Sequence, residues 1–249
     1  MGSRLLTVII PSRGMLPLLE QCLATLWRSL DAAGVAERSC VAVVDNASQP
    51  PLPPRRIAAG GAELIRLDGH HSFSRANNLA ARHLPAANYL LLNNDVLLAP
   101  SAIGEMLGLF RRIPQAGICG ARLVFPDGSL QHAGVVFGPG QQGPYHLLRA
   151  QPSHLMPRLE REFQAVTGAC LLIRGELWDE LGGLDESYPF GLEDIDFCLR
   201  ARQLGWRIFC CQDSESLHFE SMTPGRVKLD VGSRKQFMSR WQGHYTIDG

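Results

Sequence analysis

The chain has 249 residues, 45% of them hydrophobic, and its 24 Lys and Arg balance 24 Asp and Glu. That length and apolar content suffice for a single elaborated α/β domain with a sizeable core. A net charge of zero leaves no global field to draw in nucleic acid or an anionic membrane, so an anionic ligand has to be held by a local site.

Seven cysteines, an odd number mostly set in apolar stretches, read as free thiols of a reducing compartment. The lack of any C-x-x-C pair argues against structural zinc. No apolar stretch approaches the roughly 20 residues that span a bilayer, so the expectation is a cytoplasmic protein, with peripheral contact at the inner face of the membrane left open.

Residues 5–10 are a continuous apolar run stopped by Pro11, the pattern of a strand buried on both faces. Leu16, Leu19, Leu23, Leu26, Trp27 and Leu30 then recur at helical spacing, and Gly34 marks the turn that follows. A second buried strand at 41–44 ends in Asp45-Asn46, and the prolines of 50–54 break regular structure. A third strand covers 64–67, a helix 73–83, and a fourth strand 89–92 that ends in Asn93-Asn94-Asp95. Such alternation predicts a parallel sheet with right-handed crossovers, whose ligands bind beyond the carboxyl ends of the strands. Three polar clusters fall at such ends: Ser12-Arg13, Asp45-Asn46 and Asn93-Asn94-Asp95.

A helix at 101–112 leads into a hairpin, 117–124 and 130–137, about Pro126-Asp127-Gly128. Residues 138–158, rich in Gly, Pro and Gln, read as a mobile loop expected to order over a ligand. A strand at 163–173 holding Thr167-Gly168-Ala169, a helix at 193–204, a strand at 207–211 and a helix around 233–241 complete the chain.

Asn93-Asn94-Asp95 sets a carboxylate among amides at a strand end, which suits a hard divalent cation that also binds phosphate oxygens; an Asx turn capping the next helix accounts for it equally well. Glu193, Asp194 and Asp196 crowd a helix start, where the macrodipole favours anions, and capping requires only one of them. Asp45 is either a turn residue or a carboxylate able to accept the N3–H of uracil or thymine. His218, in a loop with Ser221 and the turn Pro224-Gly225, is a metal ligand only if the fold returns it to Asp95.

The ordered set of segments resembles glycosyltransferase family 2. It comprises Val8-Ile9-Ile10-Pro11, Val44-Asp45-Asn46-Ala47-Ser48, Phe73-Ser74-Arg75-Ala76-Asn77-Asn78, Leu92-Asn93-Asn94-Asp95, Val166-Thr167-Gly168-Ala169-Cys170 and Gly183-Leu184-Asp185-Glu186 leading to Glu193-Asp194-Ile195-Asp196-Phe197. Gln131-His132-Ala133-Gly134 and the segment from His218 to Ser221 further resemble its rhamnosyltransferase-like branch of bacterial polysaccharide and O-antigen assembly.

The resemblance implies the GT-A fold, a Rossmann-like α/β domain with a mostly parallel central sheet flanked by helices. One domain would cover 1–249, with a nucleotide-binding half to 98 and an acceptor and catalytic half from 99. It implies an inverting transfer from a UDP- or dTDP-sugar to a hydroxyl of a glycan or lipid-linked glycan, aided by Mg2+ or Mn2+. Pro11, Ser12, Arg13, Asp45, Arg75, Asn78, Asn93 and Asn94 would contact the donor. Asp95 and His218 would hold the cation, and Asp194 would be the base within the pair with Glu193. Two rivals remain: a non-catalytic nucleotide-sugar-binding module, and a sugar nucleotidylyltransferase. The latter should carry a Gly-rich basic loop after the first strand, which Ser12-Arg13-Gly14 matches poorly.

Overall fold

The structure, a computed structural model, describes residues 4–140, 142–220 and 226–249. The first half alternates strand and helix as β1 (Leu6–Ser12), α1 (Leu16–Ala32), β2 (Ser39–Asp45), α2 (Pro54–Ala59), β3 (Glu63–Arg66), α3 (Phe73–His83) and β4 (Asn88–Leu92). A short β5 (Val96–Leu97) and α4 (Ala102–Arg112) lead to β6 (Ala116–Val124), β7 (Leu130–His132), β8 (Val135–Gly138), β9 (Gly143–His146) and β10 (Arg161–Phe163). The chain ends through β11 (Cys170–Arg174), α5 (Gly175–Leu181), α6 (Glu193–Gln203), β12 (Arg207–His218) and α7 (Arg226–Trp241).

The main sheet has the order β10-β12-β6-β11-β4-β1-β2-β3. The run from β4 to β3 is parallel, as alternation demands, and β6 pairs with β12 in parallel as well. Between them β11 runs antiparallel to both β4 and β6, so the sheet continues from the first half of the chain into the second without a break. This is the mostly parallel, helix-flanked α/β sheet expected.

Side chains alternate across it. Leu6, Val8 and Ile10 of β1 join one core with Val41 and Val43, under α1 and α4, while Ile9, Ala42 and Val44 join the opposite core, under α3, α5 and α6. Burial on both faces explains why these strands read as unbroken apolar runs. On α1, Leu19, Cys22, Leu23, Leu26 and Leu30 are the buried stripe, each leucine adding about 1.5–3 kcal/mol of apolar burial.

Several expectations shift. The proline stretch breaks regular structure over 50–53 as expected, but Pro54 then opens an unforeseen helix, because it occupies the first turn of α2, where its missing N–H costs nothing. The strand expected over 163–173 is two, with 164–169 turned out of the sheet between β10 and β11. The helix α5 went unforeseen; it begins at Gly175, where a Cβ would lie 2.4 Å from the Ala86 carbonyl oxygen. The loop expected over 138–158 contains β9, paired with β8 in a second small sheet. That segment is pinned by the buried Arg122, which donates to the Met156 carbonyl at 3.0 Å and to the Ser153 carbonyl. Ser221, Pro224 and Gly225 lie outside the described residues.

The last helix is tied to α6 by a buried carboxylate. Asp196, with no exposed surface, accepts from Trp241 Nε1 at 2.8 Å, Tyr188 Oη at 3.2 Å and Arg200 Nε at 2.7 Å. Removing one partner of a buried ion pair strands the other charge, at about 3–5 kcal/mol. Asp196→Ala should therefore lower the free energy of unfolding by about that much in a denaturant titration. A loss below about 1 kcal/mol would mean that water already reaches this group.

Candidate active site

The three strand-end clusters are laced together. Ser12 Oγ accepts from Asn94 Nδ2 at 2.8 Å and donates to the Gly14 carbonyl at 3.0 Å, while Gly14 N–H donates to Ser48 Oγ at 2.7 Å. Asn46 N–H reaches the Ser12 carbonyl at 2.9 Å, and its side chain exchanges two hydrogen bonds with the His71 backbone. Pro11 is half-buried at the end of β1, and Arg13 is exposed beyond it.

Asp45 is wholly buried and already engaged: its carboxylate accepts from the backbone N–H of Ser48 at 2.9 Å and of Leu52 at 3.1 Å, and pairs with Arg66 at 2.6 Å. Its direct work is to shape the turn from 45 to 52. The part of this pair that meets solvent is Arg66, which lines a cavity of about 450 Å³ with Ala47, Ser48, Gln49, Leu67 and Asp68. Asn78 is likewise committed, donating to the Leu184 carbonyl and Glu186 and accepting the Leu184 N–H, so it clamps α3 to the turn before α6. Arg75 points to solvent from the first turn of α3, which Ser72 caps.

Asp95 and His218 do meet. The strand β12 extends well past the five residues expected, and its last residues pair with β5, His218 opposite Val96. This register brings His218 Nε2 to 3.2 Å from Asp95 Oδ1 and 3.5 Å from Asn93 Nδ2, with Asp95 and His218 both buried. Among the described residues no group of three His, Cys, Asp or Glu stands together as a metal cage. A carboxylate and an imidazole side by side fit instead a cation that takes its remaining ligands from diphosphate oxygens and water.

Asp194 sits half-buried in the first turn of α6. Its Oδ2 accepts the Gly168 N–H at 2.6 Å and its Oδ1 the Ile195 N–H at 2.8 Å. The approach is close, since a Cβ at Gly168 would come within 3.1 Å of Asp194 Cβ and press on that side chain by a few tenths of an ångström. The neighbouring Ala169 carbonyl accepts the Asn93 N–H at 2.8 Å. One short piece of backbone, 168–169, thus touches the base candidate on one side and the Asn-Asn-Asp triplet on the other. Thr167 and Gly168 are site residues to which sequence reasoning assigned no role, although their segment belongs to the family-like set and interrupts an apolar strand with small, polar residues.

Burial raises the pKa of both carboxyls at this helix start. Glu193 has a buried Oε2 without a hydrogen-bond partner, and desolvation with the adjacent Asp194 charge pushes it to about 8. Asp194 has two backbone N–H donors, which favour its anion. On Asp194 burial outweighs these donors and the net shift is upward, while Glu193, with no such donors to its Oε2, is the carboxyl of the pair pushed furthest towards its neutral form. Unfolded Glu193 releases its proton near pH 4.5, whereas the folded protein holds it to about 8. The unfolded state binds fewer protons across that window, so stability falls as pH rises through it. Glu193→Gln should flatten this fall in melting temperature between pH 4.5 and about 8; an unaltered slope would show that Glu193 is not buried as a neutral acid.

A family model described as Glycosyltransferase like family 2 matches residues 3–243. An uncharacterized protein of Sinorhizobium fredii is 32% identical over 99% of this chain and 28% of its own length. The O-antigen biosynthesis protein RfbC of Myxococcus xanthus is 36% identical over 64% of this chain and 13% of its own. The N-acetylglucosaminyl-diphospho-decaprenol L-rhamnosyltransferase of Mycobacterium tuberculosis is 31% identical over 55% of this chain and 48% of its own. The chain spans less than half the length of each of these relatives.

Two solved structures share its fold. The mannosyltransferase PcManGT from Pyrobaculum calidifontis, in complex with GDP-Man and Mn2+, superposes with a TM-score of 0.68 at 15% identity, covering 100% of this chain and 66% of the other. GalNAc-T7 with UDP, GalNAc and Mn2+ superposes with a TM-score of 0.70 at 13% identity, covering 96% and 48%. With the family match running from the first strand into the last helix, on a sheet that these GT-A enzymes share, the chain belongs to glycosyltransferase family 2.

Proposed function

We propose that this domain transfers a sugar from a UDP- or dTDP-sugar to a hydroxyl of a glycan or lipid-linked glycan, with inversion and with Mg2+ or Mn2+, in cell-surface polysaccharide synthesis. The observation that carries the reading is the 168–169 backbone, which holds the Asp194 anion and the Asn93 end of the metal-type triplet together. Inversion needs attack on the anomeric carbon from the face opposite the diphosphate, so one base suffices. Asp194 takes the acceptor proton as the new bond forms. Glu193, kept neutral beside it, adds no second charge to repel the incoming nucleophile's electrons.

Asp95 and His218 would hold the cation, which when bound neutralises charge on the departing diphosphate and replaces the acid that a glycosidase needs. The laced strand ends, Ser12 with Asn94 and Gly14 with Ser48, fix the floor on which the donor lies. The nucleobase is assigned to the 450 Å³ cavity beside Arg66. Asp45 then acts on the base through Arg66, not by direct contact, since its own surface is covered.

Rhamnose as the sugar and a diphospho-lipid acceptor are suggested by the named mycobacterial relative. All seven cysteines are free, in keeping with a cytoplasmic place of action, and among the described residues no helix is long and apolar enough to cross a membrane. The deciding experiment is a thermal-shift and donor-hydrolysis screen of uridine and thymidine diphosphate sugars, with and without Mg2+ or Mn2+. Metal-dependent hydrolysis of one donor is the expected result. Stabilisation by a donor without turnover would make this a nucleotide-sugar-binding module.

A further inference from the structure

The Gln131-His132-Ala133-Gly134 run lies against the segment that holds Asp194. His132 is fully buried, and its Nε2 accepts the Thr167 backbone N–H at 3.4 Å. The very next N–H, that of Gly168, goes to Asp194 Oδ2 at 2.6 Å. Two successive amides of one turn are thus divided between an imidazole and the carboxylate. A second tie is close by, where the Val135 N–H meets the Ala165 carbonyl at 3.0 Å. Gly134 permits the approach: its φ is +124°, and a Cβ would stand 2.3 Å from the Phe163 ring.

An imidazole accepts at Nε2 only when neutral and protonated at Nδ1. Burial, together with His146 standing edge-on at 4.9 Å between ring centroids, holds the His132 pKa well below the ordinary histidine value. His146 is itself oriented by donating from Nδ1 to the Gln131 carbonyl at 2.9 Å. The ring that faces Thr167 is thus held neutral, and the Thr167 N–H is the hydrogen-bond partner of its Nε2, its buried Nδ1 having none.

We propose that His132 is a positioning residue for the base: its Nε2 fixes the Thr167-Gly168 turn, and through the Gly168 N–H it sets where the Asp194 carboxylate stands. The inference rests on Asp194 being the base. His132 touches no reacting atom; it acts only through the backbone. A displacement of a base by even about 1 Å costs up to about 100-fold in rate, so a residue of this kind shows in turnover before it shows in donor binding.

Three substitutions test it. His132→Phe keeps the ring volume without an acceptor, His132→Gln puts an amide oxygen near the Nε2 position, and the shorter His132→Asn falls short of it. In variants shown to be folded by thermal melting, Phe and Asn are expected to lose about 10–100-fold in kcat with donor KM little changed. Gln should recover most of the loss. The Gly168 amide resonance in 15N-labelled protein should move in Phe and Asn and stay near its wild-type place in Gln. Where Phe does not fold, the Asn and Gln pair carries the comparison. Wild-type kcat in folded Asn, or equal losses in Asn and Gln, overturns the positioning role while leaving the base intact. Wild-type turnover in Asp194→Asn instead overturns the base, and this inference with it.

Discussion

Asp194→Asn is expected to lower turnover by about 10²–10⁴-fold, the usual contribution of a positioned general base, while donor binding stays close to that of the wild type. Asparagine keeps the shape of the side chain and one oxygen acceptor, so either the Gly168 or the Ile195 N–H retains its partner. What disappears is the negative charge and the ability to take a proton. Steady-state kinetics with varied donor and acceptor, set beside calorimetric titration of the nucleotide, separate the two effects. A loss in kcat with unchanged nucleotide affinity fits a base; turnover near that of the wild type would remove Asp194 from the role. Glu193→Gln is the companion control, because a residue already neutral near pH 7 can lose its proton-binding capacity at little cost in rate.

Much of the scaffold could be read from local pattern because local physics decided it. The helix α3 begins and ends where the spacing predicts, with Ser72 accepting the Arg75 N–H at its start. The strands β1, β2 and β4 are apolar runs with polar ends, as burial on both faces requires. Local pattern fails where a partner arrives from far along the chain. Nothing near Asp196 indicates that it will accept from Trp241, and nothing near Asp194 that it will accept from Gly168. Three carboxylates at one helix start therefore looked alike, although one anchors α7, one stays neutral, and one faces the turn at 168.

The same distinction separates the donor residues. Asp45 stands at a strand end, as anticipated, yet the N–H groups of Ser48 and Leu52 and the Arg66 guanidinium already satisfy it. Asn78 lies on the predicted helix, yet its amide is spent on residues more than a hundred positions later. A residue's place on an element is a short-range property. Which of its lone pairs and protons remain for a ligand is settled by tertiary contacts, and motif spacing does not count them.

Asp95→Ala carries the second large expected effect, in binding more than in chemistry. With His218 Nε2 3.2 Å from Asp95 Oδ1, the two side chains are near enough to share one ion. Their removal should act as a unit, not additively. Nucleotide diphosphate titrated in the presence of Mn2+ is expected to bind at least about 10–100-fold more weakly to Asp95→Ala, in line with the loss seen when metal-site residues are changed. Titrated in a chelator, both proteins should bind it equally weakly. His218→Ala should repeat the pattern, and the double variant should add little to either single one, because either loss already breaks the carboxylate and imidazole pair that would hold the cation. Full additivity, or an Asp95→Ala protein that binds as tightly as the wild type with Mn2+, would instead make the Asp95 and His218 contact a structural pair that holds β5 against β12. Thermal melting adds an independent sign: Mn2+ with nucleotide should raise the wild-type midpoint by linkage to binding and leave that of Asp95→Ala nearly where it was.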